Sequence, residues 1–228
     1  MTRPWRYAVS AQSPDENVGY AARKNYLAED VVQNYMRNRF SGVLGRYRYR
    51  REQRAVNSLI AQIPKSEVQD ILDCPTGLGR WLPNLAVLQP DRIVAVDASP
   101  TMLKKARTVS VGGIRIEFQE GIAEQLPFED RTFDLAFCHA LLKHLPESAK
   151  LEVIRELARV TSRYVIVTAS VRRGLPGFIR QFRSANGGVA VSQQWIQRSV
   201  KNASLRIIDA RKATTPIGVE YSYLLEKI

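Results

Sequence analysis

Residues 69–97 read QDILDCPTGLGRWLPNLAVLQPDRIVAVD, and this stretch decides the fold. A short apolar run ends at Asp73, Gly77 and Gly79 follow, and a second apolar run ends at Asp97. Glycine tolerates positive φ and lets the backbone approach a ligand closely. In an open α/β sheet, an acid about twenty residues beyond such a turn binds ribose hydroxyls. The stretch therefore predicts a strand, a glycine turn, a helix and a second strand around a ribose-containing ligand.

The glycine spacing narrows the class of ligand. A dinucleotide site needs a third glycine three positions after the second, but Leu82 stands there, and Pro75 replaces the first glycine. No Gly-Lys-Ser/Thr follows the turn, which excludes a P-loop. The unpaired N–H groups of a helix that begins after the turn suit a carboxylate or phosphate. A nucleoside with a small charged tail fits these features best.

Three ordered stretches of sequence carry a family resemblance over roughly residues 68–167. The first is Asp73-x-Pro75-x-Gly77-x-Gly79, the second is VAVDASPTML at 94–103, and the third is GIAEQLPFEDRTFD at 121–134. Together they resemble the class I S-adenosylmethionine (SAM) dependent methyltransferases, in the style of the quinone methyltransferases. The resemblance implies an α/β, Rossmann-like fold: a seven-stranded, mostly parallel sheet with its last strand antiparallel and helices on both faces.

The same resemblance implies that SAM is the cofactor, with S-adenosylhomocysteine as product, and it implies the contacts. Asp73 is expected near the SAM ammonium, and Asp97 is expected to accept hydrogen bonds from both ribose hydroxyls. Arg80 is expected either to pair with the SAM carboxylate or to lie in solvent. The implied cofactor-binding residues are Asp73, Cys74, Pro75, Thr76, Gly77, Gly79, Arg80, Asp97, Ala98, Met102, Ile122, Ala123 and Cys138, with Ala98 and Met102 beside the adenine.

Two positions depart from the family pattern. Relatives usually have Asp where this chain has Ile122, and that Asp receives the adenine amino group, which an isoleucine cannot do. Pro75 is the milder departure, because related families carry the same Asp-x-Pro-x-Gly-x-Gly sequence.

Both histidines lie after the predicted fourth strand. His139 is placed at the carboxyl edge of the sheet, where it is a candidate general base; contact with SAM or a plain loop role are the alternatives. His144 is interpreted as structural. A sulfonium methyl mainly needs an acceptor held in line about 3 Å away, so a base is required only when the acceptor must first lose a proton.

The pattern along the chain predicts a tail and helical lid at 1–63 and a SAM-binding domain at 64–228, with a mobile substrate loop at 170–191. A helix is predicted at 48–62, with a break before it at Ser41-Gly42 or at Gly45. Predicted strands cover 68–73, 92–96, 114–118, 133–138 and 164–168, and helices cover 80–88, 147–160 and 193–203, with Ser99 capping another. A final hairpin is predicted at 205–211 and 220–226. Candidate substrate residues are Tyr47, Arg50, Arg172, Arg173 and Arg180.

Charge is unevenly distributed in this chain of 228 residues and net charge +12. No acid occurs in 31–51 or in 157–208, although both segments are rich in arginine. Such segregation favours an anionic partner: a small or lipid-like acceptor, an acidic membrane surface, or RNA; a merely solvated basic surface is the alternative. An RNA methyltransferase is less favoured, because the Asn/Asp-Pro-Pro-Tyr/Phe signature and a catalytic cysteine motif are missing. A non-catalytic SAM-binding protein also stays open.

The two cysteines, Cys74 and Cys138, have no metal-type spacing and offer no disulfide scaffold, so no metal is predicted. Neither a signal peptide nor an apolar run near eighteen residues is present, so a cytoplasmic location is predicted. The acceptor, the kind of atom methylated and the oligomeric state do not follow from the sequence.

Overall fold

A seven-stranded sheet forms the centre of the protein, in the order β3-β2-β1-β4-β5-β7-β6. The computed structural model describes residues 42–171, 190–215 and 218–228. The strands are β1 Asp70–Asp73, β2 Arg92–Asp97, β3 Arg115–Glu120, β4 Phe133–Cys138, β5 Thr161–Ser170, β6 Leu205–Thr215 and β7 Gly218–Lys227. The helices are α1 Gly42–Ile60, α2 Leu82–Leu85, α3 Pro100–Ala106, α4 Glu147–Val160 and α5 Gln193–Asn202.

Strands β1 to β5 run parallel, whereas β7 lies between β5 and β6 and is antiparallel to both. This arrangement confirms the predicted seven-stranded, mostly parallel sheet with an antiparallel last strand. In the register, Asp73 at the end of β1 lies opposite Ala95 of β2 and Phe137 of β4. The carboxyl ends of β1, β2 and β4 therefore meet at one edge, where ligands bind in open α/β sheets.

The core has two apolar layers, because successive residues of a strand point to opposite faces of the sheet. On one face, Val56 and Leu59 of α1 belong to the same buried cluster as Ile71 of β1. On the other face, Val153 of α4 belongs to a cluster with Leu72 of β1. Both faces are thus covered, which is why the central parallel strands are almost continuously apolar.

Helix α1 differs from its prediction. It is one continuous helix that begins at Gly42, so a break at Gly45 is wrong, and the alternative break at Ser41-Gly42 is the one compatible with this start. The residues predicted to share its apolar side are all buried: Ala55, Val56, Leu59, Ile60 and Ile63. The second half of α1 is therefore part of the core, while the boundary predicted at residue 63 stays a prediction.

The helix predicted at 80–88 is shorter than expected. Residues 80 and 81 belong to the turn, α2 has only four residues with Pro83 near its start, and a 3-10 turn at Ala86–Leu88 follows. Chain direction changes at Gln89, whose φ of 56° is left-handed. Pro83 lacks an N–H and Gln89 leaves the helical region, so a regular helix does not extend through this segment.

Other boundaries lie within a few residues of their predictions, except that β5, β6 and β7 are longer. The Ser99 cap is confirmed, because its side chain accepts a hydrogen bond from the Met102 N–H. The predicted substrate loop falls largely in 172–189, outside the described residues. Among the helices of the described ranges, none is long and apolar enough to cross a membrane.

Candidate functional site

The glycine turn is fixed between two neighbouring strands. Cys74 N–H donates to the Phe137 carbonyl of β4 at 2.9 Å, and Thr76 N–H donates to the Val96 carbonyl of β2 at 2.8 Å. These bonds continue the sheet pattern past the end of β1, so the backbone of the turn lies at the carboxyl edge. Sequence spacing predicted this position for the turn.

Gly77 and Gly79 both adopt left-handed backbone conformations, with φ of +56° and +72°. Their surroundings differ. A Cβ at Gly79 would lie 2.9 Å from Leu82 Cδ1 and 3.1 Å from Ala106 Cβ, so Gly79 allows α2 and α3 to approach the turn. A Cβ at Gly77 would meet no atom within 4 Å. The open space beside Gly77 is where a ligand could approach the backbone.

Asp73 is a buried carboxyl with one unpaired oxygen. Its Oδ2 accepts a hydrogen bond from the Thr76 hydroxyl at 2.7 Å, whereas no group of the described residues donates to Oδ1. Burial raises the pKa of Asp73 to about 7; the Thr76 hydrogen bond opposes this shift, Asp97 adds to it and Arg80 opposes it. A buried acceptor without a donor suits a cationic donor such as an ammonium group.

Asp97 is held by the backbone. Its Oδ2 accepts from Gly77 N–H at 2.8 Å and its Oδ1 accepts from Ser99 N–H at 2.9 Å. Burial raises the pKa of Asp97, and hydrogen bonds from the backbone of Ser99, Gly77 and Ala98 counteract that rise. Each carboxylate oxygen keeps a second acceptor site, so this fixed carboxylate is able to receive two vicinal hydroxyls.

Apolar residues follow Asp97 in the chain and also follow Gly121, whose N–H donates to the Asp97 carbonyl at 3.1 Å. Met102 and Ala123 are 5% and 4% exposed, and Ala98 and Ile122 are partly buried. Ile122 forms an isolated bridge with Gln125, whose N–H donates to the Ile122 carbonyl at 3.2 Å. The side chain of Ile122 contributes no polar contact, so an adenine ring here would depend on apolar packing and backbone groups.

Arg80 joins three elements. Its Nη1 lies 3.2 Å from Glu52 Oε2 on α1, and its Nη2 lies 3.0 Å from His139 Nδ1. The guanidinium also lies over the rings of Tyr49 and Trp81, at 5.5 and 5.0 Å from the ring centroids. Arg80 is thus not a solvent arginine, and its expected pairing with the SAM carboxylate stays a prediction.

His139 is buried directly after β4, in an aromatic setting. Its ring centroid is 4.7 Å from that of Trp81, and it stacks on Phe137 at 6.1 Å with an interplanar angle of 10°. The predicted position at the carboxyl edge is confirmed. A role as general base stays a prediction.

The sequence interpretation missed Glu52, which is 2% exposed. A signal was present, because Glu52 shares the helical spacing of Val56 and Leu59 and so interrupts the apolar side of α1. An acid on the buried side of a helix implies a buried cationic partner.

Two of the predicted substrate residues lie on α1 within the described ranges, and their role stays a prediction. Tyr47 is 48% exposed and receives a hydrogen bond from Arg51 at 3.4 Å, and Arg50 is exposed. Tyr49, which was considered together with Tyr47 as a lining residue of the substrate pocket, contacts Arg80. The remaining candidates, Arg172, Arg173 and Arg180, lie outside the described residues.

Both cysteines are free and buried at the strand ends. Burial raises the pKa of the Cys74 thiol and that of the Cys138 thiol, and the neighbouring Asp73 adds to both shifts. Neutral thiols of this kind act as small apolar groups. The described part of the chain contains no group of three or more His, Cys, Asp or Glu residues arranged to hold a metal ion.

Comparison with known proteins gives two kinds of similarity. Residues 71–163 match a family model described as a methyltransferase domain. A demethylmenaquinone methyltransferase of Lactiplantibacillus plantarum is 32% identical over 139 residues, which is 59% of this chain and 56% of that protein. The chain thus spans about half the length of this relative.

Solved structures extend the similarity to nearly the whole fold. The magnesium protoporphyrin IX methyltransferase of Synechocystis with bound S-adenosylhomocysteine has a TM-score of 0.72 at 15% identity, covering 91% of this chain and 99% of that one. With bound SAM, the same enzyme gives 0.71 at 16% identity, covering 96% and 100%. The chain therefore has the fold of the class I SAM-dependent methyltransferases.

Proposed function

We propose that this protein transfers the methyl group of SAM to a small or lipid-like acceptor that carries an anionic group. The unpaired Asp73 Oδ1 carries the proposal, because a buried acceptor beside an open glycine turn matches the SAM ammonium. Asp97 supports it, since its two oxygens lie at the end of the neighbouring strand and are already oriented by backbone N–H groups.

Each residue has a defined role in this proposal. Asp73 binds the ammonium, and Asp97 binds the ribose hydroxyls. Met102 and Ala123 pack against the adenine. Bound SAM supplies an electrophilic methyl group, whose carbon–sulfur bond breaks as the acceptor forms its new bond. The protein fixes the sulfonium relative to the acceptor and keeps water away, which suffices for this reaction.

Two observations support a lipid-like, anionic acceptor. The Lactiplantibacillus plantarum relative is named for demethylmenaquinone, an aromatic lipid, and the similarity to it covers 59% of this chain. The net charge of +12 favours a partner with negative charge, such as a reduced quinone in its phenolate form or an acidic membrane surface that holds it.

Calorimetric titration with SAM and S-adenosylhomocysteine tests the cofactor site. Asp97→Ala is expected to weaken SAM binding at least about a hundredfold, because two hydrogen bonds to a charged acceptor are lost at roughly 1.5–3 kcal/mol each. Asp91→Ala is the matched control, since Asp91 is exposed near the start of β2 and should leave affinity unchanged. No binding to the wild type, or equal binding to Asp97→Ala, would refute the site.

Transfer from methyl-labelled SAM tests the reaction. Reduced demethylmenaquinone in lipid vesicles is the first acceptor to assay, followed by anionic aromatic metabolites. Label appearing in a lipid-soluble product would support the proposal. Tight SAM binding without transfer to any of these acceptors would favour the non-catalytic alternative.

An RNA acceptor is the second candidate, favoured by one observation. Arg46, Arg50 and Arg54 are all exposed on α1, at a spacing that places them along one side of the helix. Phosphate binding by such arginines would weaken steeply with salt. Label transfer to RNA, lost when all three are changed to glutamine, would favour this candidate over the lipid-like acceptor.

A further inference from the structure

The cluster of Glu52, Arg80 and His139 connects helix α1 to the carboxyl edge of the sheet. Glu52 and His139 are 2% and 7% exposed, so both ends of the cluster are buried. Arg80 bridges them with two different nitrogens, Nη1 to Glu52 and Nη2 to His139 Nδ1. A charged side chain on α1 therefore acts on a ring at the end of β4 through one intervening residue.

The chemistry of arginine determines which imidazole nitrogen carries the proton. A guanidinium has five N–H donors and no acceptor, so at 3.0 Å the His139 Nδ1 must accept from Arg80. A neutral imidazole with Nδ1 as acceptor carries its proton on Nε2. Adding a second proton to Nδ1 would break the Arg80 bond and place two cations side by side.

Glu52 helps to fix the orientation of the Arg80 guanidinium toward His139. The guanidinium is planar, so fixing one terminal nitrogen on Glu52 orients the other toward His139. Tyr49 and Trp81 hold the same group from their ring faces. Without Glu52, Arg80 would lose a charge-assisted hydrogen bond in a buried location, and α1 would no longer orient its second terminal nitrogen toward His139.

We propose that Glu52 is a positioning residue: through Arg80 it holds His139 in the Nε2–H tautomer, in which Nδ1 is occupied by Arg80 and His139 does not act as a general base. The consequence for the acceptor rests on the proposed function. Because Nδ1 is occupied and Nε2 already carries a proton, the acceptor does not lose its proton to His139. It reaches the methyl group already ionised, or it loses its proton to another base.

Nitrogen NMR measures the tautomer directly, independently of any activity. The chain has two histidines, so labelling histidine with nitrogen-15 gives two imidazoles, and His144→Gln identifies the signals of His139. Near neutral pH, the wild type is expected to show an unprotonated Nδ1 and a protonated Nε2. Arg80→Met and Glu52→Met are expected to lose this single tautomer and give averaged nitrogen signals. Glu52→Gln, which keeps an acceptor oxygen for Arg80, is expected to retain it.

Glu67→Gln is the matched control. Glu67 also pairs with an arginine, Arg163 at 2.9 Å, but it lies just before β1 at the opposite edge of the sheet. This variant should leave the His139 signals unchanged. The inference is overturned if Arg80→Met keeps the wild-type tautomer, or if a folded Glu52→Met does.

A double variant covers the case in which Glu52→Met does not fold, because Glu52→Met with Arg80→Met also removes the cation that Glu52 contacts. If Glu52 acts only through Arg80, the double variant and Arg80→Met give the same His139 signals. Signals in the double variant that differ from those of Arg80→Met would refute an effect of Glu52 through Arg80 alone. Loss of SAM binding by the wild type would refute the proposed function but not the tautomer. A wild-type tautomer in Arg80→Met would refute this inference while SAM binding stands.

Discussion

At the scale of single residues, Asp73 shows how a residue of the proposed binding site can cost stability. Its carboxyl is fully buried, one oxygen has no donor among the described residues, and burial raises its pKa to about 7. Without a ligand, ionisation of this group opposes folding. An ammonium placed on Oδ1 would reverse the balance, because the charged form would then be the favoured one.

Asp73 gives the unfolding free energy a predicted pH dependence. Folding raises the pKa of Asp73 from 3.8 to about 7. Between about pH 4 and pH 7, the folded protein therefore keeps a proton that the unfolded chain has released. The stabilisation from this proton is fully present below the unfolded-state pKa and is lost as pH rises through the folded-state pKa. The total loss of unfolding free energy is on the order of 4 kcal/mol. Urea unfolding of ligand-free protein across this range should show the loss.

Asp73→Asn is the control for that prediction, since it has the same shape and does not titrate there. Its unfolding free energy should lack this fall. SAM affinity of the wild type should rise with pH up to about 7, as Asp73 ionises, until the SAM amine begins to lose its proton near pH 8. An equal slope in Asp73→Asn would assign the pH dependence to another group.

At the scale of elements, the turn after β1 separates two uses of glycine. Gly79 is required by the close approach of α2 and α3, whereas Gly77 faces open space. Both have positive φ, so both favour glycine for the backbone alone. Only Gly79 is also required by packing within the protein.

A pair of alanine variants should separate folding from binding. Gly77→Ala is expected to lower the unfolding free energy by about 1–2 kcal/mol, from its backbone conformation, and to weaken SAM binding because its methyl occupies the open space. Gly79→Ala is expected to cost more stability, by about a further 1–3 kcal/mol, because Leu82 and Ala106 must move. Unfolding by urea and SAM titration of both variants check this. Larger destabilisation in Gly77→Ala than in Gly79→Ala would contradict it.

At the scale of the whole molecule, the sheet brings together groups that are distant in sequence. Glu52 on α1, Arg80 in the turn and His139 after β4 meet because α1 covers the sheet face on which Trp81 and Phe137 are buried. The turn and Asp97 meet because β1 and β2 pair in parallel. A ligand bound at this edge contacts the ends of several strands at once, so its binding should stabilise the entire fold.

A thermal shift should report that stabilisation. SAM at a hundredfold excess over its dissociation constant should add about 2.7 kcal/mol to the unfolding free energy, which corresponds to a rise in Tm of about 5–10 °C for a chain of this size. Asp97→Ala should show little shift at the same concentration, whereas Asp91→Ala should behave as the wild type. An equal rise in Asp97→Ala would place the bound SAM elsewhere.

Much of the fold followed from local sequence. The alternation of apolar runs and helical patterns predicted the succession of strands and helices along the chain. Ser99 followed by Pro100 predicted the start of α3. Helix α2 was predicted too long, because apolar residues at helical spacing hid the effects of Pro83 and of the left-handed Gln89. Spacing indicates which side is buried, but it does not show where the backbone leaves the helix.

The sequence by itself determined the class of fold and the carboxylates of the candidate cofactor site, because Asp73, Gly77, Gly79 and Asp97 lie within one strand-turn-helix-strand unit whose geometry is local. Only the tertiary structure decided the partners of Arg80, the unpaired oxygen of Asp73 and the acceptor role of His139 Nδ1. Those properties depend on burial and on contacts between residues up to 59 positions apart. Packing of α1 against the strands creates these contacts, and the spacing of residues in the sequence does not encode them.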